Sequence, residues 1–215
     1  MDRKIIVLIV LLLMILLLVA CGGPSREYEA GEVLLTESFD EAAAWETYVQ
    51  GDVAFQVVDG AYRTQTSDGG YVWGLNETEH NDVVIEVTAT QLSSFENNAY
   101  GVMCRSDTGN NGDGYYFLIS GDGYYAISKG QGDDVNELVE WTTSSAINQG
   151  QASNTIRAVC IDNYLALYVN DEFVADTEDS EYTSGYAGFA AAAFDGENVE
   201  ASFDNLTITA ASLSN

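Results

Sequence analysis

Basic residues are scarce in this sequence: 7 Lys+Arg stand against 34 Asp+Glu, a formal net charge of −27. A field of that sign repels polyanions, which argues against nucleic acid and anionic lipid surfaces as partners. There is one histidine, His80, so a histidine-rich metal site cannot be assembled. It lies in the polar run 76–82 (NETEHND) and reads as a loop residue. No G-x-S-x-G elbow accompanies it, which argues against a Ser-His-Asp hydrolase. The glycines at 109, 112 and 114 lack the following helix and lysine of a phosphate-binding loop. Proline occurs once and helical periodicity is missing after residue 20, whereas 20 Gly, 13 Tyr and many short alternating runs are present. That balance indicates an all-β domain of ordinary size.

The one long apolar run is at the start. Ile5 to Ala20 is sixteen unbroken apolar residues after a charged Asp2-Arg3-Lys4, shorter than the about 20 a spanning helix needs. Leu18-Val19-Ala20-Cys21 resembles the lipobox of bacterial lipoproteins. The resemblance implies cleavage before Cys21, lipidation of its thiol, and a cell-surface protein anchored to the membrane outside the cytoplasm. The expected organisation is a signal peptide at 1–20, a lipidated flexible linker at 21–32, and one domain at 33–213. Removing the leader takes two cations and one anion, leaving 5 Lys+Arg against 33 Asp+Glu and a net charge of −28.

Within the domain, apolar-polar alternation predicts twelve to fourteen short strands, beginning at Val33 and ending with 199–208. Asp59-Gly60 between alternating runs is a hairpin signal, because such turns need positive φ. Asp122-Gly123 reads the same way between two runs that each open on a Tyr-Tyr pair.

Phe39-Asp40 with Trp45, Asp59 to Tyr62, Tyr100 to Arg105, Gly114 to Phe117, Leu167 to Asn170, Gly185 with Gly188-Phe189, and Phe203 to Asn205 follow one another in a familiar order. The sequence resembles the concanavalin A-like lectin/glucanase jelly rolls, in the branch of the 3-keto-disaccharide hydrolase domains. That resemblance implies an all-β, two-sheet antiparallel jelly-roll sandwich. It also raises hydrolysis of 3-keto-disaccharides or glycosides as an activity. The E-x-D-x-x-E signature of the glucanases is missing, however, and Glu86 has no carboxylate at i±2 or i+4. Two carboxyl groups about 5 Å apart are what retaining hydrolysis requires. The leading expectation is therefore a non-catalytic module binding a carbohydrate or a cell-surface partner, with the hydrolase and a purely structural domain as alternatives.

With Cys21 lipidated, Cys104 and Cys160 remain, an even pair outside the cytoplasm, which favours a disulfide over two separate buried thiols. No cofactor is required. Ca²⁺ is the metal that the abundant hard oxygen ligands suit, in a structural role. Likeness to binding modules places it between Asp40 and Asp204, and the Asp107 to Asp113 loop is a second place for it. The candidate ligand-binding set is Tyr116, Tyr125, Arg105 and Lys129: exposed tyrosines stack on sugar C–H faces while cations donate to hydroxyls. A two-residue Asp122-Gly123 turn puts Tyr116, Tyr125 and Lys129 on one face, and a three-residue turn exchanges the second strand's set.

Overall fold

The computed structural model describes residues 22–40, 44–67 and 69–214, in which there are fifteen strands and no helix. In chain order they begin with β1 (Tyr28–Glu37), β2 (Tyr48–Gln50), β3 (Val53–Val58), β4 (Ala61–Thr66) and β5 (Val72–His80). Next come β6 (Val83–Gln91), β7 (Asn98–Ser106), β8 (Gly114–Ile119), β9 (Tyr124–Gln131) and β10 (Asp134–Thr143). The last are β11 (Ser153–Ile161), β12 (Tyr164–Val169), β13 (Glu172–Glu178), β14 (Gly185–Ala193) and β15 (Val199–Leu213). Nine form one sheet in the order β13-β12-β11-β6-β15-β4-β3-β2, with β1 also on β15; six form the other, β10-β9-β8-β7-β14-β5. This is the two-sheet antiparallel sandwich expected from the alternating runs.

Alternation decides which residues meet between the sheets. On β6, Val83, Ile85, Val87 and Ala89 face the core, while Glu86 pairs on the other side with Arg157 of β11. The aromatic residues that carried the family likeness turn out to be packing. Trp45 stacks on Phe189 at 4.9 Å, Phe189 on Phe203 at 4.1 Å, and Phe39 meets Trp45 edge-on at 5.4 Å. Losing any one of these rings would cost about 3–5 kcal/mol. Cys104 on β7 and Cys160 on β11 are disulfide-bonded, tying one sheet to the other.

Two expectations are corrected, and the turn length left open above is settled. The residues expected as linker join the fold: β1 starts at Tyr28, opposite Leu213 of β15, and Ser25 and Arg26 bond Asp176 and Glu178 of β13. No alternation could reveal this, because Glu29 to Leu34 are exposed on both faces of the strand. His80 ends β5 rather than lying in a loop, and burial pushes its pKa down. The turn between β8 and β9 holds three residues, Gly121-Asp122-Gly123, closed by the Ser120 N–H donating to the Tyr124 carbonyl at 2.9 Å. Gly123 takes φ +88°, which favours glycine, and a side chain there would collide with Gln149.

Candidate functional site

That turn sets the register Ile119↔Tyr125 and Tyr115↔Lys129, which divides the expected binding set between two faces. Tyr125 and Lys129 share the inner face with Tyr115, Phe117 and Ile119. Tyr116 faces outward but is fully buried, its hydroxyl donating to the Gly112 carbonyl at 2.6 Å and its ring met edge-on by Tyr71 at 5.6 Å. Burial pushes its pKa above the ordinary tyrosine range.

Arg105 is no surface donor either. Its side chain is 1% exposed. Nε donates to the Asn81 carbonyl at 3.1 Å, and Nη1 to the carbonyls of Asp162 at 2.6 Å and Tyr182 at 3.0 Å. Nη2 donates to Asp82 at 2.9 Å. The guanidinium thus joins three loops at one end of the sandwich. Lys129 pairs with Asp179 at 2.7 Å, and Asp179 also accepts from the Tyr115 hydroxyl at 2.7 Å. Burial alone would raise the Asp179 pKa, but hydrogen bonds from Lys129, the Glu181 N–H and Tyr115 bring it below the ordinary aspartate value. A depressed carboxylate contributes stability above its unfolded pKa and loses it as pH falls through the folded one. Lys129→Met is therefore expected to move the acid-unfolding midpoint to higher pH, read by circular dichroism across the acid range.

Of the metal candidates, Asp40 accepts from Ser38 and lies over Gly60, while the Asp204 carboxylate accepts from Asn205. No group of three or more His, Cys, Asp or Glu side chains among the described residues is placed to hold a metal ion. In the Asp107 to Asp113 loop, both carboxylates accept from backbone N–H groups and Asn111. The loop folds over the outer face, where Asn110 accepts from the Trp73 indole at 2.6 Å. Cys21 lies outside the described residues.

The outer face of the six-stranded sheet assembles a different group. Its floor is small or apolar and buried: Ala99, Leu118, Ala126, Ala190 and Ala192. Trp141 rises from β10 at one edge and Phe194 just beyond β14, four strand positions away, about 19 Å in a flat sheet. Their rings nonetheless meet edge-on at 6.3 Å, so the two side chains lean over the floor and this face is concave between them and it. Beside them opens a cavity of about 420 Å³ lined by Trp141, Phe194, Tyr124, Asp122, Ser120 and the adjacent Asn97 and Asn98. Tyr124 is 39% exposed, the outward member of its Tyr-Tyr pair.

The polar groups there are held in place by the chain around them. Asn98 donates to the Phe95 carbonyl at 2.6 Å and accepts from the Gly121 N–H, while Ser120 donates to Asp122 and accepts from the Tyr124 N–H at 3.0 Å. Asn97 donates to Asp195 at 2.8 Å. A second cavity, of about 340 Å³, lies toward the other end of the strands, lined by Tyr71, Trp73, Tyr116, Asn111, Asp133 and Asp134 among others. Sequence reasoning missed Trp141 and Phe194. The available signal was a tryptophan on an otherwise exposed strand, which alternation alone does not assign to a cavity.

The fold recurs in solved structures. The carbohydrate binding module CBM66 from Bacillus subtilis superposes with a TM-score of 0.64 at 21% identity, covering 78% of this chain and 96% of that one. A Bacillus subtilis protein with a galectin-like fold gives 0.61 at 11% identity, covering 86% and 99%. Bacillus licheniformis β-glucanase gives 0.60 at 9% identity, covering 85% and 99%. At such identities these likenesses establish the concanavalin A-like jelly roll alone. No curated protein matches the sequence. A sequence-family model does, across residues 35–209, and the chain belongs to the 3-keto-alpha-glucoside-1,2-lyase-like domain family.

Proposed function

We propose that the protein is a non-catalytic glycan-binding module whose site is the cavity beside Trp141, Phe194 and Tyr124. One observation carries this reading: the rings of Trp141, on the edge strand β10, and Phe194, just beyond β14, meet beside prearranged amide, hydroxyl and carboxylate groups. Pyranose rings present C–H faces to aromatics and hydroxyls to such groups. The cavity is of a size that small-molecule sites occupy, about 300–1,000 Å³. Likeness to a carbohydrate binding module supports the reading. Trp141→Ala is expected to weaken binding about ten- to thirtyfold, ~1.5–2 kcal/mol, in a protein that still unfolds cooperatively. Affinity electrophoresis against a panel of polysaccharides, followed by titration calorimetry, measures it.

A second reading, an enzyme acting on 3-keto-disaccharides or glycosides, is favoured by the family match. It needs a base within hydrogen-bond reach of the proton removed. Asp122 is the one carboxylate lining the first cavity among the described residues, and Asp133 and Asp134 line the second. Turnover of a 3-keto-disaccharide by the purified domain, abolished in Asp122→Asn or in Asp133→Asn/Asp134→Asn, would establish that reading in place of the first.

Lipid anchoring at Cys21 belongs to the proposal as well. The chain is tied to β13 from Ser25 onward, so Gly22-Gly23-Pro24 would be the whole tether and the domain would sit close to the membrane. Cys21→Ser should shift the protein from the detergent to the aqueous phase on partitioning.

A further inference from the structure

Resting on the glycan-binding reading, the charge distribution of the concave face identifies the class of glycan. Each of the five Lys and Arg residues among the described ones is engaged elsewhere: Arg26 with Glu178, Arg63 with Asp59, Arg105 with Asp82, Lys129 with Asp179, and Arg157 with Glu86 and Asp171. None lines either cavity on the concave face. The cavities instead present Asp122 at one end and Asp133 with Asp134 at the other. Asp122 accepts from Ser120 through one oxygen only, and neither the Asp133 nor the Asp134 carboxylate has a side-chain hydrogen bond or ion pair among the described residues. A cleft lined by one sign of charge concentrates the opposite sign in its ligand.

The cavities also share one surface. Tyr116 and Ser120 stand four residues apart on and just beyond β8, and Val135 and Trp141 six apart on β10. The ends are therefore about 13–20 Å apart along the strands, more than one sugar ring spans. We propose that the ligand is an oligomeric or polymeric amino sugar with free ammonium groups, lying along the strands of the six-stranded sheet. One ammonium group meets Asp122, and another meets the Asp133-Asp134 turn. Glycans carrying uronate or sulfate are repelled from the same surface.

The test is titration calorimetry of the full folded domain with glucosamine oligomers, their fully N-acetylated counterparts, and oligogalacturonate. The free-amine oligomer is expected to bind about tenfold more tightly than the N-acetylated one at low ionic strength, with the preference lost between about 0.01 and 1 M salt, as the Debye length falls from about 30 to 3 Å. Asp122→Asn should reduce that preference, and Trp141→Ala should weaken both ligands. Glu172→Gln, on β13 of the other sheet, should change neither. Equal binding of the amine and its N-acetylated form, still dependent on Trp141, overturns the amino-sugar assignment and leaves glycan binding standing. An effect of Glu172→Gln as large as that of Asp122→Asn also overturns it, since the attraction is then that of the whole acidic surface. If none of the three binds, the amino-sugar assignment falls, and glycan binding falls with it if the polysaccharide panel is also negative.

Discussion

Replacing Arg105 with alanine is expected to lower the unfolding free energy by about 3–5 kcal/mol. The guanidinium is buried and serves three backbone carbonyls and one carboxylate. Truncation leaves the Asn81, Asp162 and Tyr182 carbonyls short of a donor, and Asp82, which also holds the Asp162 N–H at 2.7 Å, loses its counter-charge. Asp82 is 41% exposed and regains water, so most of the loss comes from the carbonyls. Arg105→Lys keeps the charge but not the fork of donors and should fall between wild type and alanine. Guanidinium chloride unfolding measures the effect. Glycan affinity of the folded fraction should be unchanged, because Arg105 lines a polar cavity at the end of the sandwich and not the concave face. A stable Arg105→Ala protein that had lost binding would return Arg105 to the role its sequence suggested.

Removal of the Cys104–Cys160 bridge, by replacing both cysteines with alanine, is expected to cost about 4 kcal/mol in the chain-entropy account. The bond spans a sequence separation of 56 and joins β7 of one sheet to β11 of the other, so the unfolded chain is constrained across its middle. Both cysteines are buried, at 1% and 0% exposure, and each alanine leaves a small void in the core. Reduction of the native protein should accordingly be slow and follow global opening. Chemical unfolding of the double variant beside the wild type measures the loss.

Much of the architecture was legible because sandwiches write themselves into sequence as alternation and turn residues. The all-β class and the disulfide pairing followed from strand pattern and cysteine parity. What was not legible depended on single residues in turns or on distant partners. One extra glycine, Gly121, turns Tyr125 and Lys129 inward and Tyr124 outward. No local signal reveals that Arg105 finds three carbonyls from loops 24 to 77 residues away. Tyr-Tyr pairs suit a half-buried strand as well as a binding platform, and here Tyr115 and Tyr116 serve packing. Trp141 and Phe194 come together across four strand positions, a contact set by the assembled sheet and not by the sequence of either strand.

The central claim is that the concave face of the six-stranded sheet holds a glycan against Trp141. It is tested most directly by titrating the wild type, Trp141→Ala and Arg105→Lys with one glycan that the wild type binds. The account predicts a loss of about ten- to thirtyfold for Trp141→Ala and wild-type affinity for Arg105→Lys. Undiminished affinity in a folded Trp141→Ala protein would contradict it.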